Sequence, residues 1–254
     1  MKRTTGFLGV TTGLLIATTL LPNPAHALLI DNFTVSQTVT QTGVGTSGIG
    51  ATGVTGAIFG DRYLQATVTQ GTASLRVSAN GLNPGQLTHS QDSGVTGNSL
   101  TIWDANSANG DIIDLAPGRD LTDTTTSNSL VFEIVSADFP TNLTFTAYTT
   151  LSDFSRIQFN TPGLLSNAPV FLPFATFTAF GGGADFANIR ALTMSVADTI
   201  PREDLDLRLR LLQTSSPPTF DIIEPTSLAI FGAGLAGLGF SARRRKPAAL
   251  PAAA

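Results

Sequence analysis

The sequence predicts an all-β fold: an antiparallel two-sheet sandwich of jelly-roll type, with a short hydrophobic segment at each end. Three observations carry that expectation. Residues 28 to about 213 show no sustained 3.6-residue hydrophobic period. The chain holds 36 threonines, whose β-branched side chains favour extended backbone. Short alternating runs recur between clusters of Gly, Asn, Asp, Ser and Pro, which is how strands and turns are punctuated.

In chain order the candidate strands are 28–35, 62–69, 74–78, 99–103, 129–135, 142–149, 156–159, 170–177, 189–196 and 205–212. Alternation is strictest in Leu205-Asp206-Leu207-Arg208-Leu209-Arg210-Leu211, which makes one face apolar and the other charged. Asn142-Leu143-Thr144-Phe145-Thr146-Ala147 alternates in the same way. Strands this close together, without helices long enough for crossovers, imply antiparallel sheets stacked on one core. Residues 41–60 carry seven glycines in twenty and read as a mobile loop or a poorly ordered edge. Ser215-Ser216-Pro217-Pro218-Thr219 falls in a short extended linker.

Composition narrows the function. The 254-residue chain has only 13% charged residues and a net charge of −4. Six of its basic residues sit at the two ends. Residues 28–224 then hold eight arginines and no lysine against 18 acidic residues, a net of −10. A body of that sign is repelled by phosphate backbones, so nucleic acid is excluded as a partner. The cysteine count is zero, which removes disulfides, thiolate metal sites and Cys nucleophiles. Two histidines, His26 and His89, are a poor basis for a zinc enzyme.

The ends read as addresses. Lys2-Arg3, an apolar run from Phe7 to Leu21, and then Ala25-His26-Ala27 follow the order of a secretory signal peptide with cleavage after Ala27. At the other end, Glu224-Pro225-Thr226-Ser227 opens an uncharged run, Leu228 to Phe240, that stops at Arg243-Arg244-Arg245-Lys246. Four glycines would weaken this run as a helix in water by about 1 kcal/mol each, but lipid tolerates them. The basic cluster acts as a topological stop on the cytoplasmic side of the inner membrane. Residues 226–242 lie at the short limit for spanning a bilayer, which suits transient insertion followed by processing; an uncut single-span anchor is the alternative. The expected organisation is signal peptide 1–27, β-sandwich 28–213, linker 214–223 and sorting tail 224–254.

This arrangement resembles the PEP-CTERM protein-sorting family. The likeness rests on the Glu224-Pro225 motif, the Gly-rich apolar stretch and the Arg cluster, with a signal peptide at the far end. Ile223 stands where the family has its first proline, and an Ala/Pro coda, Pro247–Ala254, follows the basic stop. The resemblance implies an exosortase, a membrane-embedded transpeptidase-like enzyme, as partner. It also implies export from a bacterium that makes extracellular polysaccharide. The middle of the chain is similar in its landmarks to galactose-binding-like jelly rolls: Ile30-Asp31-Asn32-Phe33, Leu100-Thr101-Ile102-Trp103-Asp104, Asp120-Leu121-Thr122, Phe171-Leu172-Pro173-Phe174 and Gly183-Ala184-Asp185-Phe186-Ala187-Asn188-Ile189. That likeness speaks to fold alone.

Catalytic chemistry is sparse. Gly43-x-Gly45-x-x-Gly48 matches a dinucleotide fingerprint by letters, but no helix can follow it to hold a pyrophosphate. His89-Ser90-Gln91-Asp92 contains triad letters without the nucleophile elbow, and a solvated loop is its expected home. Of the three Glu in the mature body, Glu133 alternates outward from a strand, Glu203 lies in a polar turn and Glu224 belongs to the tail. No carboxylate pair for glycoside hydrolysis stands out. Asp104, Asn106, Asn109 and Asp111, interrupted by Gly110, offer hard oxygens for a stabilising calcium ion; the competing reading is an Asx-rich turn. Trp103, beside that loop, is the candidate for stacking on a saccharide, although core packing is the reading its residue type favours.

The expectation is a non-catalytic exported bacterial protein of the cell surface or extracellular matrix, in transit through the inner membrane and associated with exopolysaccharide. A lectin-like carbohydrate-binding module with structural calcium is the second reading, and a secreted glycan-active enzyme the third.

Overall fold

The computed structural model describes residues 27–105, 117–124, 127–198 and 204–216. Among them are fourteen strands and, as the one helical element, a 3₁₀ turn at Phe174–Thr176. The strands are β1 (Leu29–Asp31), β2 (Gln37–Thr42), β3 (Gly45–Ala51), β4 (Arg62–Gln70), β5 (Ser74–Ala79), β6 (Gln86–Gln91) and β7 (Thr96–Trp103). They continue as β8 (Ser129–Ala137), β9 (Thr141–Tyr148), β10 (Phe154–Asn160), β11 (Leu165–Pro173), β12 (Thr178–Phe180), β13 (Ala191–Asp198) and β14 (Asp206–Ser215).

All pairings are antiparallel, and they build two seven-stranded sheets. Sheet A runs β11-β8-β14-β6-β5-β2, with β1 also paired to β14; sheet B runs β12-β10-β9-β13-β7-β4-β3. This is the antiparallel two-sheet sandwich of jelly-roll type that the alternation implies. Between the sheets lies one continuous apolar core, fed by alternate residues of both: Leu75, Val77, Phe132 and Leu209 from sheet A, and Leu64, Phe145 and Val196 from sheet B. Phe132 and Phe145 meet across the interface with ring centroids 5.2 Å apart. Each such fully buried side chain contributes about 1.5–3 kcal/mol.

The strict alternation of residues 205–211 becomes β14, in the middle of sheet A, with Leu205, Leu207 and Leu209 inward. The alternation ends at a bulge. The pairing with β8 shifts between Arg210 and Gln213, Leu211 takes φ +47° and is 41% exposed, and Leu212 returns to the core.

Three expectations need correction. The Gly-rich stretch, expected as a mobile loop or a poorly ordered edge, is an ordered edge over residues 41–51 and a series of turns after it: β2 ends in it, and the edge strand β3 pairs with β4 from Gly45↔Val68 to Ala51↔Arg62. The glycines permit this because Tyr63 lies across the strand, and a Cβ on Gly48 would overlap its hydroxyl and ring. His89 is not in a solvated loop but buried on β6. The linker does not begin at 214, since β14 extends to Ser215 and the Thr214 hydroxyl accepts a hydrogen bond from the Leu28 amide at 3.3 Å. Of two compact units, 1–215 and 216–254, the first holds the sandwich.

Candidate functional site

The outward face of sheet A is polar and hollowed. Alternation on β2, β5, β6 and β14 sends Val39, Val77, Leu87 and Leu207 inward and leaves Thr, Ser, Arg and Asp facing out. Register aligns them into cross-strand rows. Thr40, Arg76, Ser90 and Asp206 form one; Thr38, Ser78, Thr88 and Arg208 form the next.

A cavity of about 320 Å³ lies over these rows, walled on one side by Gly81, Leu82 and Asn83 of the β5–β6 turn. A second hollow of about 210 Å³ shares Arg76 and Ser90 with it and reaches Ser74 and Asp92, so the two form one groove. The turn that walls the groove is held in place by Asn80, whose φ of +49° suits an Asn. Its amide donates to the Thr34 carbonyl (2.7 Å) and the Ser36 hydroxyl (3.1 Å), while its side-chain oxygen accepts from the Gly85 amide at 3.0 Å.

Arg76 and Arg208 are both exposed, and among the described residues neither guanidinium makes a hydrogen bond or an ion pair. Arg210, one alternation further along β14, is instead closed onto Glu133 by two hydrogen bonds of 2.8 Å. The groove therefore offers planar guanidinium donors, hydroxyls that donate and accept, and the apolar side chain of Leu82, which is 84% exposed. That set suits a polyhydroxylated ligand lying along the sheet. Asp206 and Arg208 were legible as the charged face of an alternating strand. Arg76 and the Thr/Ser positions were missed because only the strand register brings them together.

The residues expected to bind lie elsewhere. Trp103 is fully buried and its indole N–H donates to Asp31 Oδ2 at 2.7 Å, so no ring face is open to a saccharide; it is a core residue. Asp104 follows it, 1% exposed, while Asn106, Asn109 and Asp111 lie outside the described residues. Among the described residues no three His, Cys, Asp or Glu side chains gather as a metal site. Ala25, Glu224, Pro225 and Arg243–Lys246 also lie outside the described residues, and Ala27 is exposed at their start. No described helix is long and apolar enough to cross a membrane.

Two buried polar clusters tie the sheets together. In one, Arg62 of β4 reaches Asp31 of β1, Gln37 of β2 and the Val35 carbonyl with every nitrogen of its guanidinium. In the other, Gln91 Nε2 donates to His89 Nε2 at 3.1 Å and to the Gly97 carbonyl at 3.1 Å. That leaves His89 Nδ1 as the protonated nitrogen, donating to Ser99 Oγ at 2.8 Å. Burial lowers the His89 pKa to about 4, so the imidazole is neutral and structural at neutral pH.

The remaining feature lies in the linear sequence, outside the described residues. Residues 224–246 match the PEP-CTERM protein-sorting motif. The PEP-CTERM match begins at Glu224, so Ile223 falls outside it, and it ends on the basic stop at Lys246. The PEP-CTERM motif marks an exported protein that is processed at the membrane. No curated protein matches the chain. Among solved structures, similar chains include a family 11 carbohydrate-binding module from Clostridium thermocellum in complex with a β-1,3-1,4-mixed-linked tetrasaccharide. It is 12% identical with a TM-score of 0.40, over 76% of this chain and 98% of that one. The same module family from a cellulosomal cellulase of that organism gives 12% and 0.40, over 77% and 97%. An exo-β-agarase gives 13% and 0.35, over 80% of this chain and 24% of that one.

Proposed function

We propose that this protein is a non-catalytic component of a bacterial cell surface or extracellular matrix. A signal peptide ending at Ala27 starts its export. An exosortase-type membrane transpeptidase recognises Glu224 and Pro225, and Arg243–Lys246 hold the tail in the inner membrane until it is cut. The sandwich then contacts extracellular polysaccharide through the groove on sheet A. The observation that carries this reading is the sorting motif at residues 224–246, behind a body whose outer sheet face presents hydroxyls and unpaired guanidiniums to solvent.

A binding role fits the groove better than hydrolysis. A glycosidase needs one carboxyl in an apolar pocket that raises its pKa, so that it can serve as general acid. The two groove carboxylates, Asp206 and Asp92, are both exposed, and Asp92 Oδ2 accepts the Ser74 amide at 3.0 Å.

Intact mass spectrometry of the protein recovered outside the cell tests the sorting half. The expected species starts at Leu28 and lacks residues 228–254. A recovered chain that keeps 228–254 makes this a permanently anchored protein and ends the processing claim. Deleting the host exosortase should leave the uncut chain in the membrane fraction.

A further inference from the structure

We propose that the sheet A groove selects an acidic polysaccharide, one bearing carboxylate or sulfate ester groups, and that Arg76 and Arg208 are the residues that read the anion. The proposal rests on the groove being the saccharide contact.

Four observations support it. First, both guanidiniums line the same cavity of about 320 Å³, and neither has a partner among the described residues. Second, the body is −10 over residues 28–224, while the groove sets these two cations against two carboxylates, Asp206 and Asp92, so its lining is neutral. A polyanion is repelled less there than over the rest of the body, and the two guanidiniums that make no ion pair are where it can be held. Third, the register holds the two apart. Arg76 is on β5 and Arg208 on β14, with β6 between them and an offset of one cross-strand row. With strands about 4.8 Å apart and the offset of two residues along the strand, the two Cα atoms are roughly 12 Å apart. Two such forks can grip two anions on one polysaccharide chain. Fourth, a guanidinium presents its N–H groups in a planar fork that fits a carboxylate or sulfate edge with two hydrogen bonds.

Asp206 sets the limit of this preference. It lies in the Arg76 row, across β6, and two residues before Arg208 on the same outward face. Its carboxylate partly offsets the two cations and offers an acceptor for a sugar hydroxyl. A ligand with an anion on some sugars and bare hydroxyls on the next meets both. A uniformly dense polyanion meets Asp206 as a repulsion.

The experiment uses the exported protein and three immobilised polymers: a partly methyl-esterified polygalacturonate, its carboxyl-reduced neutral counterpart, and a partly sulfated galactan. Expected is binding to at least one acidic polymer, with the neutral counterpart weaker by about tenfold or more. Arg76→Ala and Arg208→Ala should each cost about tenfold on the acidic polymer and leave the melting temperature unchanged, because neither side chain has an intramolecular partner to lose. Arg208→Lys keeps the charge but not the fork and should recover only part of the loss. Asp206→Asn should tighten binding to the acidic polymer.

Which acidic polymer binds assigns the anion as carboxylate or sulfate. Equal binding of the neutral polymer, with both Arg→Ala variants unaffected, overturns the acidic preference while leaving the groove a saccharide site. Binding of no polymer overturns this inference and the saccharide reading together. Loss of binding accompanied by a lower melting temperature in both Arg→Ala variants makes those arginines structural and overturns their assigned role.

Discussion

Asp31 and Arg62 form an ion pair, 2.9 Å between Oδ2 and Nη1, with neither side chain exposed to solvent. Every polar atom of the pair is used. Asp31 Oδ1 accepts the Phe33 amide at 2.7 Å, Oδ2 accepts the Trp103 indole, and Arg62 Nε donates to Gln37 Oε1 at 2.8 Å. The pair joins β1 of sheet A to β4 and β7 of sheet B. Removing one partner strands a buried charge. Asp31→Leu and Arg62→Met should therefore each cost about 3–5 kcal/mol, and the double replacement less than their sum, because it strands no charge even though Phe33, Trp103 and Gln37 lose their partners. Urea unfolding of the two single variants and the double variant closes the cycle. Additive losses would mean that the two charges act independently.

Glu133 and Arg210 supply the contrast. Their hydrogen bonds are as short, 2.8 Å each, but the Arg210 side chain is 50% exposed. Water screens the attraction, so Glu133→Gln should cost less than about 1 kcal/mol. A larger loss in the same unfolding assay would mean that the pair fixes the β8–β14 register rather than decorating it.

Gly48 is an edge-strand residue because of what lies over it. Tyr63, nine percent exposed, covers the glycine as an aromatic ring covers a cross-strand gap. Gly48→Ala should cost about 1–3 kcal/mol, since a stiff ring and not a flexible tip must move. In a Tyr63→Ala background the same change should cost close to nothing. Equal costs in both backgrounds would remove Tyr63 from the explanation.

These residues also show how far the sequence could be read. The alternation from Leu205 to Leu211 named β14, its buried leucines and its outward Asp206, Arg208 and Arg210, because a period of two needs no knowledge of the neighbours. Strand β6 escaped because its inward side chains are Leu87, His89 and Gln91. Polar groups can line a core face when their hydrogen bonds close on one another, and that closure is tertiary. The same reason hid the groove: Arg76 and Arg208 are 132 residues apart in numbering, and only the β5-β6-β14 register puts them in one cavity. The core role of Trp103 was legible, but its partner, Asp31, 72 residues upstream, was not. The sorting motif was read without loss, since its information is linear.

The buried imidazole of His89 makes stability depend on pH in a defined direction. Its pKa is about 4 in the fold against 6.5 for an unperturbed histidine, because burial disfavours the charged form. The unfolded chain then binds the proton first, so stability is complete above pH 6.5 and is lost as pH falls towards 4. The loss should amount to about 3 kcal/mol across that window. Asp120 and Asp153 extend the decline below it. The Thr122 hydroxyl lowers the Asp120 pKa and the Gly182 amide lowers that of Asp153, so each favours the fold only while ionised. His89→Gln separates the two regions, because a glutamine does not titrate and can still accept from Gln91 and donate to Ser99. Urea midpoints measured from pH 7.5 to 3 should slope for the parent protein down to pH 4 and stay level there for the variant, with any further fall below pH 4 common to both. A parent protein whose midpoint is flat between pH 6.5 and 4 would place His89 in contact with water and dissolve the inter-sheet bridge through Ser99.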